Sequence, residues 1–229
     1  IHSSDGGRSW RRQATTVSLP LYTIAFQNSR VGWTAGRGGV LLRTEDGGRT
    51  WHQIESGTRS WLRDISFSFD GTIWIAGSEG TLLASSDGGA SWRRVGLDVE
   101  KGLLDIVFTD SLGGFISGRG GTLLKTSDGG RHWRPVPAGG PADIHAVAGD
   151  PHGCLWRGSS TSLQRSTDGG YSWKNASVSG SLSTLYNVIA VKTGTLFPDS
   201  YFVICAHYDS RAANESMSLY KAPGADDNA

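Results

Sequence analysis

A histidine and three aspartates near the C-terminus have side chains suited to metal chemistry. His207 directly follows the apolar run 201–206, and Asp209 comes two residues later. Residues i and i+2 of an extended chain point to the same face. The Asp209 carboxylate can therefore accept a hydrogen bond from the second imidazole N–H and fix the tautomer of His207. A lone histidine at a strand end is more often a hydrogen-bonded structural residue, so both interpretations of His207 stay open.

A second source of carboxylates follows about twenty residues on, in the segment 224–228, which contains Asp226 and Asp227. Imidazole and carboxylate are both ligands that Zn²⁺ accepts. The run 201–206 is interpreted as a buried strand of an α/β sheet. Because α/β sheets place their chemistry at the carboxyl ends of strands, this position favours a functional site. Residues 179–184 are small and polar, as is typical of a linker.

Residues 1–178 are dominated by an internal repeat. The pattern Ser/Thr-x-Asp-Gly-Gly-x-x-Trp occurs five times, with its aspartate at Asp5, Asp46, Asp87, Asp128 and Asp168. Successive aspartates follow one another at a nearly constant interval of about 40 residues. Such regularity indicates a repeat architecture.

Each repeat contains four short strand-like runs separated by glycine or Asp-Gly turns. A glycine lies ten residues before each later aspartate, at Gly36, Gly77, Gly118 and Gly158. Four strands in about 40 residues are typical of a β-propeller blade. The Asp-Gly-Gly box falls between the third and fourth runs and is predicted to be a hairpin turn. Its glycines would supply positive φ, and its aspartate would accept hydrogen bonds from the turn amides.

The box tryptophan is expected to start the fourth strand and to pack between blades. A metal- or sugar-binding loop is the alternative interpretation of the box, but five nearly identical copies favour a scaffold. The arginines that follow the tryptophans are interpreted as solvated charges that protect the blade edges. They are Arg11, Arg12, Arg93, Arg94 and Arg134.

These residues resemble the Asp-box, or BNR, repeat found in sialidases, some glycanases, sortilin-type receptors and photosystem II assembly-factor-like propellers. The form Gly-x-x-Gly-x-Leu-Leu-x-Thr-x-Asp-Gly-Gly-x-x-Trp is most similar to the last group. A sialidase would also need an arginine triad and a Tyr–Glu pair, which have no evident counterpart. The resemblance implies a mainly β fold with about four and a half four-stranded blades. Since the first blade has only its box and last strand, we expect further chain upstream of Ile1.

The C-terminal segment resembles a different family. Asn187-Val-Ile-Ala, Ala206-His-Tyr-Asp-Ser and Ala222-Pro-Gly-Ala-Asp-Asp-Asn follow one another as in the di-zinc exopeptidases of the bacterial leucyl aminopeptidase and aminopeptidase Y type. The resemblance covers residues 185–229 and implies the first strands of an α/β zinc-exopeptidase domain. It makes His207 a zinc ligand, Asp227 the carboxylate that bridges two zinc ions, and Asp209 the residue that holds His207. Asp226 would be a neighbour of the ligands.

The family also needs a Glu-Glu pair, another acidic ligand and a final histidine, which lie further along its sequence. The first glutamate of that pair is the general base. Since these residues are absent here, the 229 residues should neither close a zinc site stably nor hydrolyse peptides. Activity is expected of a longer parent chain, with no catalytic residue in this part.

The composition excludes several classes of function. Lys plus Arg is 22 and Asp plus Glu is 21, which gives a formal net charge of +1. This balance argues against nucleic acid as a partner bound through bulk charge. No apolar run approaches the roughly 18 residues of a membrane span. The two cysteines, Cys154 and Cys205, are too few for a disulfide framework and are expected to be free.

We therefore predict residues 1–178 to be a β-propeller, 179–184 a linker and 185–229 the start of a peptidase-like domain. The first functional hypothesis is an exported zinc metallopeptidase, periplasmic or extracellular, with the propeller as a docking module for substrate or surface. The alternative is a non-enzymatic propeller that acts as a protein-binding or assembly factor. A glycan-processing propeller is the third, and it would need acidic residues on the central face.

Overall fold

Sixteen strands form four antiparallel four-stranded sheets in the part of the chain that the structure describes. The structure is a computed structural model, and it describes residues 2, 8–13, 16–149, 154–159, 162–176, 187–191 and 202–206. Within each sheet the strands follow chain order. The predicted repeat of four strands is therefore present, and the fold is mainly β, consistent with a partial β-propeller.

The four sheets share one plan. The first contains β1 (Leu21–Phe26), β2 (Gly32–Gly36), β3 (Leu41–Thr44) and β4 (His52–Ile54), and the second β5 (Leu62–Phe67), β6 (Ile73–Gly77), β7 (Leu82–Ser85) and β8 (Arg93–Arg94). The third contains β9 (Leu103–Phe108), β10 (Gly114–Gly118), β11 (Leu123–Thr126) and β12 (Arg134–Pro135), and the fourth β13 (Ile144–Gly149), β14 (Leu155–Ser159), β15 (Leu163–Ser166) and β16 (Lys174–Asn175). Two 3₁₀ turns, Arg37–Gly39 and Arg119–Gly121, follow β2 and β10.

A bulge interrupts the first strand of three sheets at the same place. In the ladder between β1 and β2, Leu21 pairs with Gly36 and Thr23 with Ala35, so Tyr22 is left without a partner. Arg63 is skipped in β5 and His145 in β13. In the fourth sheet Ser159 pairs with Ile144 as Gly36 pairs with Leu21, so Ser159 and not Gly158 takes the place of the earlier glycines.

The chain divides into two compact units, Ile1–Leu103 and Leu104–Ala229. In the first unit, the core joins Trp33, Ala35 and Leu41 of the first sheet to Leu62, Ile65 and Ile75 of the second. In the second unit, the core joins Phe115 and Leu123 to Ile144, Val147 and Leu155. In both units the apolar second strand of one sheet therefore packs against the first strand of the next.

The second glycine of the box explains part of the close packing between sheets. Gly89 has φ 85°, and a Cβ placed there would lie 2.8 Å from Nε1 of Trp33 in the preceding sheet. Gly170 has φ 90°, and its Cβ would lie 3.0 Å from Phe115. Glycine is thus required at this position both for its backbone conformation and for the approach of an aromatic ring.

Two further strands, β17 (Asn187–Val191) and β18 (Phe202–Ala206), pair antiparallel with each other. They agree with the apolar runs predicted in the C-terminal segment. The α/β domain to which they were assigned stays a prediction, because most of the segment lies outside the described residues. No helix in the described residues is long and apolar enough to cross a membrane.

Candidate functional site

The predicted metal-binding residues His207 and Asp227, with Asp209 and Asp226, lie outside the described residues, so their assignment stays a prediction. Strand β18 ends at Ala206, directly before His207. Among the described residues, no group of three or more His, Cys, Asp or Glu side chains is placed to hold a metal ion. Cys154 is buried and forms no disulfide among the described residues, and its Sγ accepts a hydrogen bond from Arg165 Nη2 at 2.8 Å.

Each described box is a hairpin turn organised by its aspartate and by a buried hydroxyl two residues earlier. In the first sheet, Asp46 Oδ1 accepts hydrogen bonds from Thr44 Oγ1 at 2.8 Å and from the Thr50 backbone N–H at 2.9 Å. The same Thr44 hydroxyl accepts the Gly48 N–H at 2.9 Å. The carboxylate therefore holds the turn, and the hydroxyl ties it to the buried end of the third strand.

The other described boxes repeat this geometry. Their buried hydroxyls donate to Oδ1 of the aspartate at 2.7–2.9 Å, in the pairs Ser85–Asp87, Thr126–Asp128 and Ser166–Asp168. Hydrogen bonds to the residue four positions on hold the pKa of each aspartate well below its usual range. The largest contributions come from the hydroxyls of Thr50, Ser91 and Ser172 and from the backbone N–H of His132. Asp5 lies outside the described residues.

A cation covers the aromatic residue of each second strand. The pairs are Arg43 over Trp33, Arg93 over Trp74, Lys125 over Phe115 and Arg165 over Trp156, at 5.6–5.8 Å from the ring centroid. Arg93 was interpreted from sequence as a solvated edge charge. It is exposed, but its guanidinium also covers a buried ring. Such pairs add a modest stabilisation of about 0.5–1 kcal/mol each at exposed sites.

The most distinctive surface of the first unit is a cluster formed by Tyr22, Arg37, Trp61 and Arg63, which we call the aromatic–arginine cluster. The Arg63 guanidinium lies 4.6 Å from the Tyr22 ring and 5.0 Å from the Trp61 ring. Arg37 lies 5.0 Å from the same Trp61 ring, and the two rings are 6.2 Å apart. Two cations and two aromatic rings therefore alternate in one contiguous patch.

The elements of the fold explain why this cluster faces outward. Tyr22 and Arg63 are the residues that the bulges of β1 and β5 leave out of the ladder, and bulges re-aim side chains in this way. Trp61 immediately precedes β5, and Arg37 immediately follows β2. Because neighbouring strands are antiparallel, the starts of β1 and β5 and the end of β2 lie at the end of each sheet opposite the box turn. Tyr22 and Trp61 are each 38% exposed, which is substantial for large aromatic residues.

The surroundings of the cluster are polar. Ser60 Oγ donates to Glu79 Oε2 at 3.4 Å, and the backbone N–H of Trp61 donates to Ser78 Oγ at 2.8 Å. Gly38 and Gly39, which follow Arg37 in the 3₁₀ turn, line an open pocket of about 420 Å³ together with Val40 and residues 53–59.

The positions that match the cluster in the second unit have different chemistry. His145 takes the bulge position of Tyr22 and Arg63, and burial lowers its pKa. Asp143 lies two residues before it and accepts the Gly120 N–H at 2.8 Å. Asp143 takes the position that corresponds to Trp61, so the described residues around this bulge include no counterpart of that ring.

Acidic side chains on the first strands bear on the hypothesis of glycan processing. Asp64 Oδ1 accepts a hydrogen bond from Thr23 Oγ1 at 3.2 Å. Asp105 Oδ2 accepts the Val147 N–H at 2.6 Å. Both carboxylates are thus engaged in holding neighbouring sheets together.

A buried arginine occupies the core of the fourth sheet, which sequence reasoning missed. Arg157 is 5% exposed. It corresponds to Ile75 of the second sheet, because each of the two residues lies two positions before the last residue of the second strand of its sheet. Its Nη2 donates to the Ala138 carbonyl at 2.7 Å, its Nε donates to Gln164, and its guanidinium lies 4.4 Å from the Trp173 ring. Burial lowers the pKa of Arg157 to about 10.

Four-stranded antiparallel sheets that repeat at an interval of about 40 residues, each with an Asp-Gly-Gly box between its outer strands, define an Asp-box (BNR) β-propeller. Residues 90–148 match the sequence family described as photosynthesis system II assembly factor YCF48. Comparison with curated proteins gave no match.

Solved structures agree on the fold. A structure of YCF48 bound to D1 peptide matches with a TM-score of 0.64 and 22% identity, over 83% of this chain and 62% of that one. YCF48 from Cyanidioschyzon merolae matches with a TM-score of 0.64 and 20% identity, over 84% of this chain and 66% of that one. A GH74 enzyme from Niastella koreensis matches with a TM-score of 0.59 and 21% identity, over 81% of this chain and 28% of that one. The chain thus spans less than two thirds of either YCF48 structure.

Proposed function

We propose that the propeller is a protein-binding module that holds a peptide segment of a partner protein on the aromatic–arginine cluster. The observation that carries this proposal is the exposed stack of Tyr22, Arg63, Trp61 and Arg37. Trp, Tyr and Arg are the residues that most often dominate the binding energy of protein interfaces. A rigid aromatic platform also loses little conformational entropy when a partner binds.

Two further observations favour a binding role over glycan processing. Asp64 and Asp105 on the first strands are already committed to hydrogen bonds. A similar propeller, YCF48, has been solved with a bound peptide. We extend peptide binding to this chain as part of the proposal.

The test is selection of peptides from a random displayed library on the full chain, followed by fluorescence polarisation with the selected sequences. Trp61→Ala is expected to weaken binding at least about tenfold, since truncation of a central aromatic residue commonly costs about 2 kcal/mol. The matched control is Phe69→Ala, because Phe69 is also an exposed aromatic residue but lies at the opposite end of the second sheet. Equal affinity of both variants for every selected peptide would contradict the proposal.

A second candidate function rests on the resemblance of residues 185–229 to di-zinc exopeptidases. We propose that a longer protein containing this chain is an exported zinc aminopeptidase, periplasmic or extracellular, with the propeller as its docking module. His207 and Asp227 have the donor chemistry that zinc accepts. Asp209 would accept a hydrogen bond from the other ring N–H of His207 and so orient its ring. When bound, two zinc ions would lower the pKa of a bridging water.

The separate test of this proposal compares the present chain with the product of the same gene read further in frame. The longer product is expected to hydrolyse aminoacyl p-nitroanilides, to lose activity with a chelator, and to lose bound zinc on His207→Ala or Asp227→Ala. Fractionation of the source cells tests export. Turnover by the present chain alone, or a stop codon directly after Ala229, would refute the peptidase proposal and leave the binding proposal untouched.

A further inference from the structure

Among the described residues, one side chain other than glycine is held in the left-handed backbone region. Glu79 has φ 57°, whereas the residues at the same position of the first and third sheets are Gly38 and Gly120, with φ 69° and 59°. A side chain in this region is strained, because its Cβ lies too close to the neighbouring backbone. Such strain persists where the surrounding structure enforces it, and it is concentrated at functional sites. The strain therefore indicates that the Glu79 side chain has a role of its own.

The turn that contains Glu79 is fixed against the segment that carries Trp61. The backbone N–H of Ser78 donates to the Trp61 carbonyl at 2.8 Å, and the backbone N–H of Trp61 donates to Ser78 Oγ at 2.8 Å. Arg94 Nη2 donates to the Glu79 carbonyl at 3.4 Å and so also fixes this turn. The Glu79 carboxylate is thereby held at the edge of the aromatic–arginine cluster, with its Oε2 3.4 Å from Ser60 Oγ.

The Glu79 carboxylate is exposed and accessible to a ligand. Its hydrogen bond from Ser60 is long, and it forms no ion pair with any residue that the structure describes. Arg37 and Arg63 each lie 5.0 Å from the Trp61 ring, so two cations already occupy the surroundings of this ring. Because like charges repel, a further cation is disfavoured on the ring but is attracted to the carboxylate beside it.

We propose that Glu79 accepts a lysine or arginine side chain of the segment that binds the aromatic–arginine cluster, an inference that rests on the proposed binding function. The basic side chain forms a charge-assisted hydrogen bond with the Glu79 carboxylate. Glu79 thereby selects segments with a basic residue at one fixed position and rejects segments with an acidic residue there. A glycine would relieve the strain but would supply no charge, which accounts for a glutamate where the other two sheets have glycine.

The test selects peptides from a random displayed library on three forms of the full chain, namely the unaltered protein, Glu79→Gln and Glu79→Lys. Peptides selected on the unaltered protein are expected to share a lysine or arginine at one position. Peptides selected on Glu79→Gln should lose this preference, and those selected on Glu79→Lys should carry aspartate or glutamate at that position.

Affinity and stability are then measured separately. In fluorescence polarisation at low salt, Glu79→Gln and Glu79→Gly should both bind the selected basic peptide about threefold to fivefold more weakly, and high salt should reduce this difference. Only Glu79→Gly should also raise the urea midpoint, since it alone relieves the strain. The matched control is Glu45→Gln, which makes the same change of charge directly after β3, at the box turn, and should leave binding unaltered. A peptide whose basic residue is replaced by glutamine should bind the unaltered protein and Glu79→Gln equally.

The outcomes separate this inference from the proposed function. Equal affinity of Glu79→Gln and the unaltered protein for the basic peptide, with Trp61→Ala still weakened, would overturn the inference and leave the proposed function standing. Selected peptides that share no basic position would do the same. If Trp61→Ala also keeps full affinity, or if no peptide is selected, the proposed function fails and the role of Glu79 fails with it.

Discussion

The buried hydroxyl of the box turn provides the sharpest test of how each box turn is held in place. Ser85 is 2% exposed; its hydroxyl donates to Asp87 Oδ1 at 2.7 Å and accepts the Gly89 N–H at 2.8 Å. Ser85→Ala leaves the buried Gly89 N–H without an acceptor, which costs about 1–3 kcal/mol. With about 2 kcal/mol lost and a urea dependence of about 2 kcal/mol per molar, the unfolding midpoint should fall by about 1 M.

The matched control is Ser86→Ala, which makes the same chemical change at the next residue, where the side chain is exposed. It should leave the midpoint unchanged. Hydrogen exchange gives a local readout, because the Gly89 amide should lose protection in Ser85→Ala alone. If both variants shift the midpoint equally, or if the Gly89 amide keeps its protection in Ser85→Ala, the hydroxyl does not hold the turn as argued.

Three further predictions concern backbone conformation at two positions and the dependence of folding stability on acidic pH. Glu79 has φ 57°, so Glu79→Gly should raise the urea midpoint by releasing about 1 kcal/mol of left-handed strain, and Glu79→Ala should not. Gly80→Ala should cost several times as much as Gly88→Ala: both have positive φ, but a Cβ at Gly80 would lie 1.7 Å from the Val99 carbonyl oxygen and one at Gly88 meets nothing within 4 Å. Similar losses in denaturant titrations would contradict this explanation. Because the folded pKa of Asp87 is lowered, its stabilisation is complete above the ordinary aspartate pKa of about 4 and is lost as the pH falls through the folded value. In urea titrations, the difference in free energy of unfolding between the unaltered protein and Asp87→Asn should therefore become smaller as the pH falls below about 4. A difference that does not change with pH would contradict the lowered pKa of Asp87.

The sequence predicted the repeating part of the fold because its signals are local. Positive φ at both box glycines of the described repeats and the carboxylate-bound turn amides follow from residue types within the box itself. Strand ends were also clear where glycine follows an apolar run, as at Gly36 and Gly77. In the fourth repeat the spacing to the box differs, and the strand pairing, not the glycine, identifies Ser159 as the matching residue.

The candidate site depends on contacts between sheets, which one sequence does not reveal. Tyr22 and Arg63 lie one whole repeat apart in the sequence and meet only because the first strands of adjacent sheets lie side by side and both carry a bulge. A bulge has no strong local signal, since it adds one residue without a special residue type. The burial of Arg157 was missed for a related reason, because its Trp173 platform comes from another part of its repeat. The assignments of His207, Asp209 and Asp227 stay predictions.

The bulge at the start of the first strand places residues that maintain the fold next to a residue that can vary without disturbing it. Its neighbours Leu21, Leu62 and Ile144 stay aliphatic, while the bulged residue is tyrosine, arginine or histidine. A side chain outside the ladder can change its charge and shape without altering strand register or core volume. If the proposed binding role holds, each of these three blades can therefore change the chemistry that it presents to a ligand independently, while the scaffold stays the same.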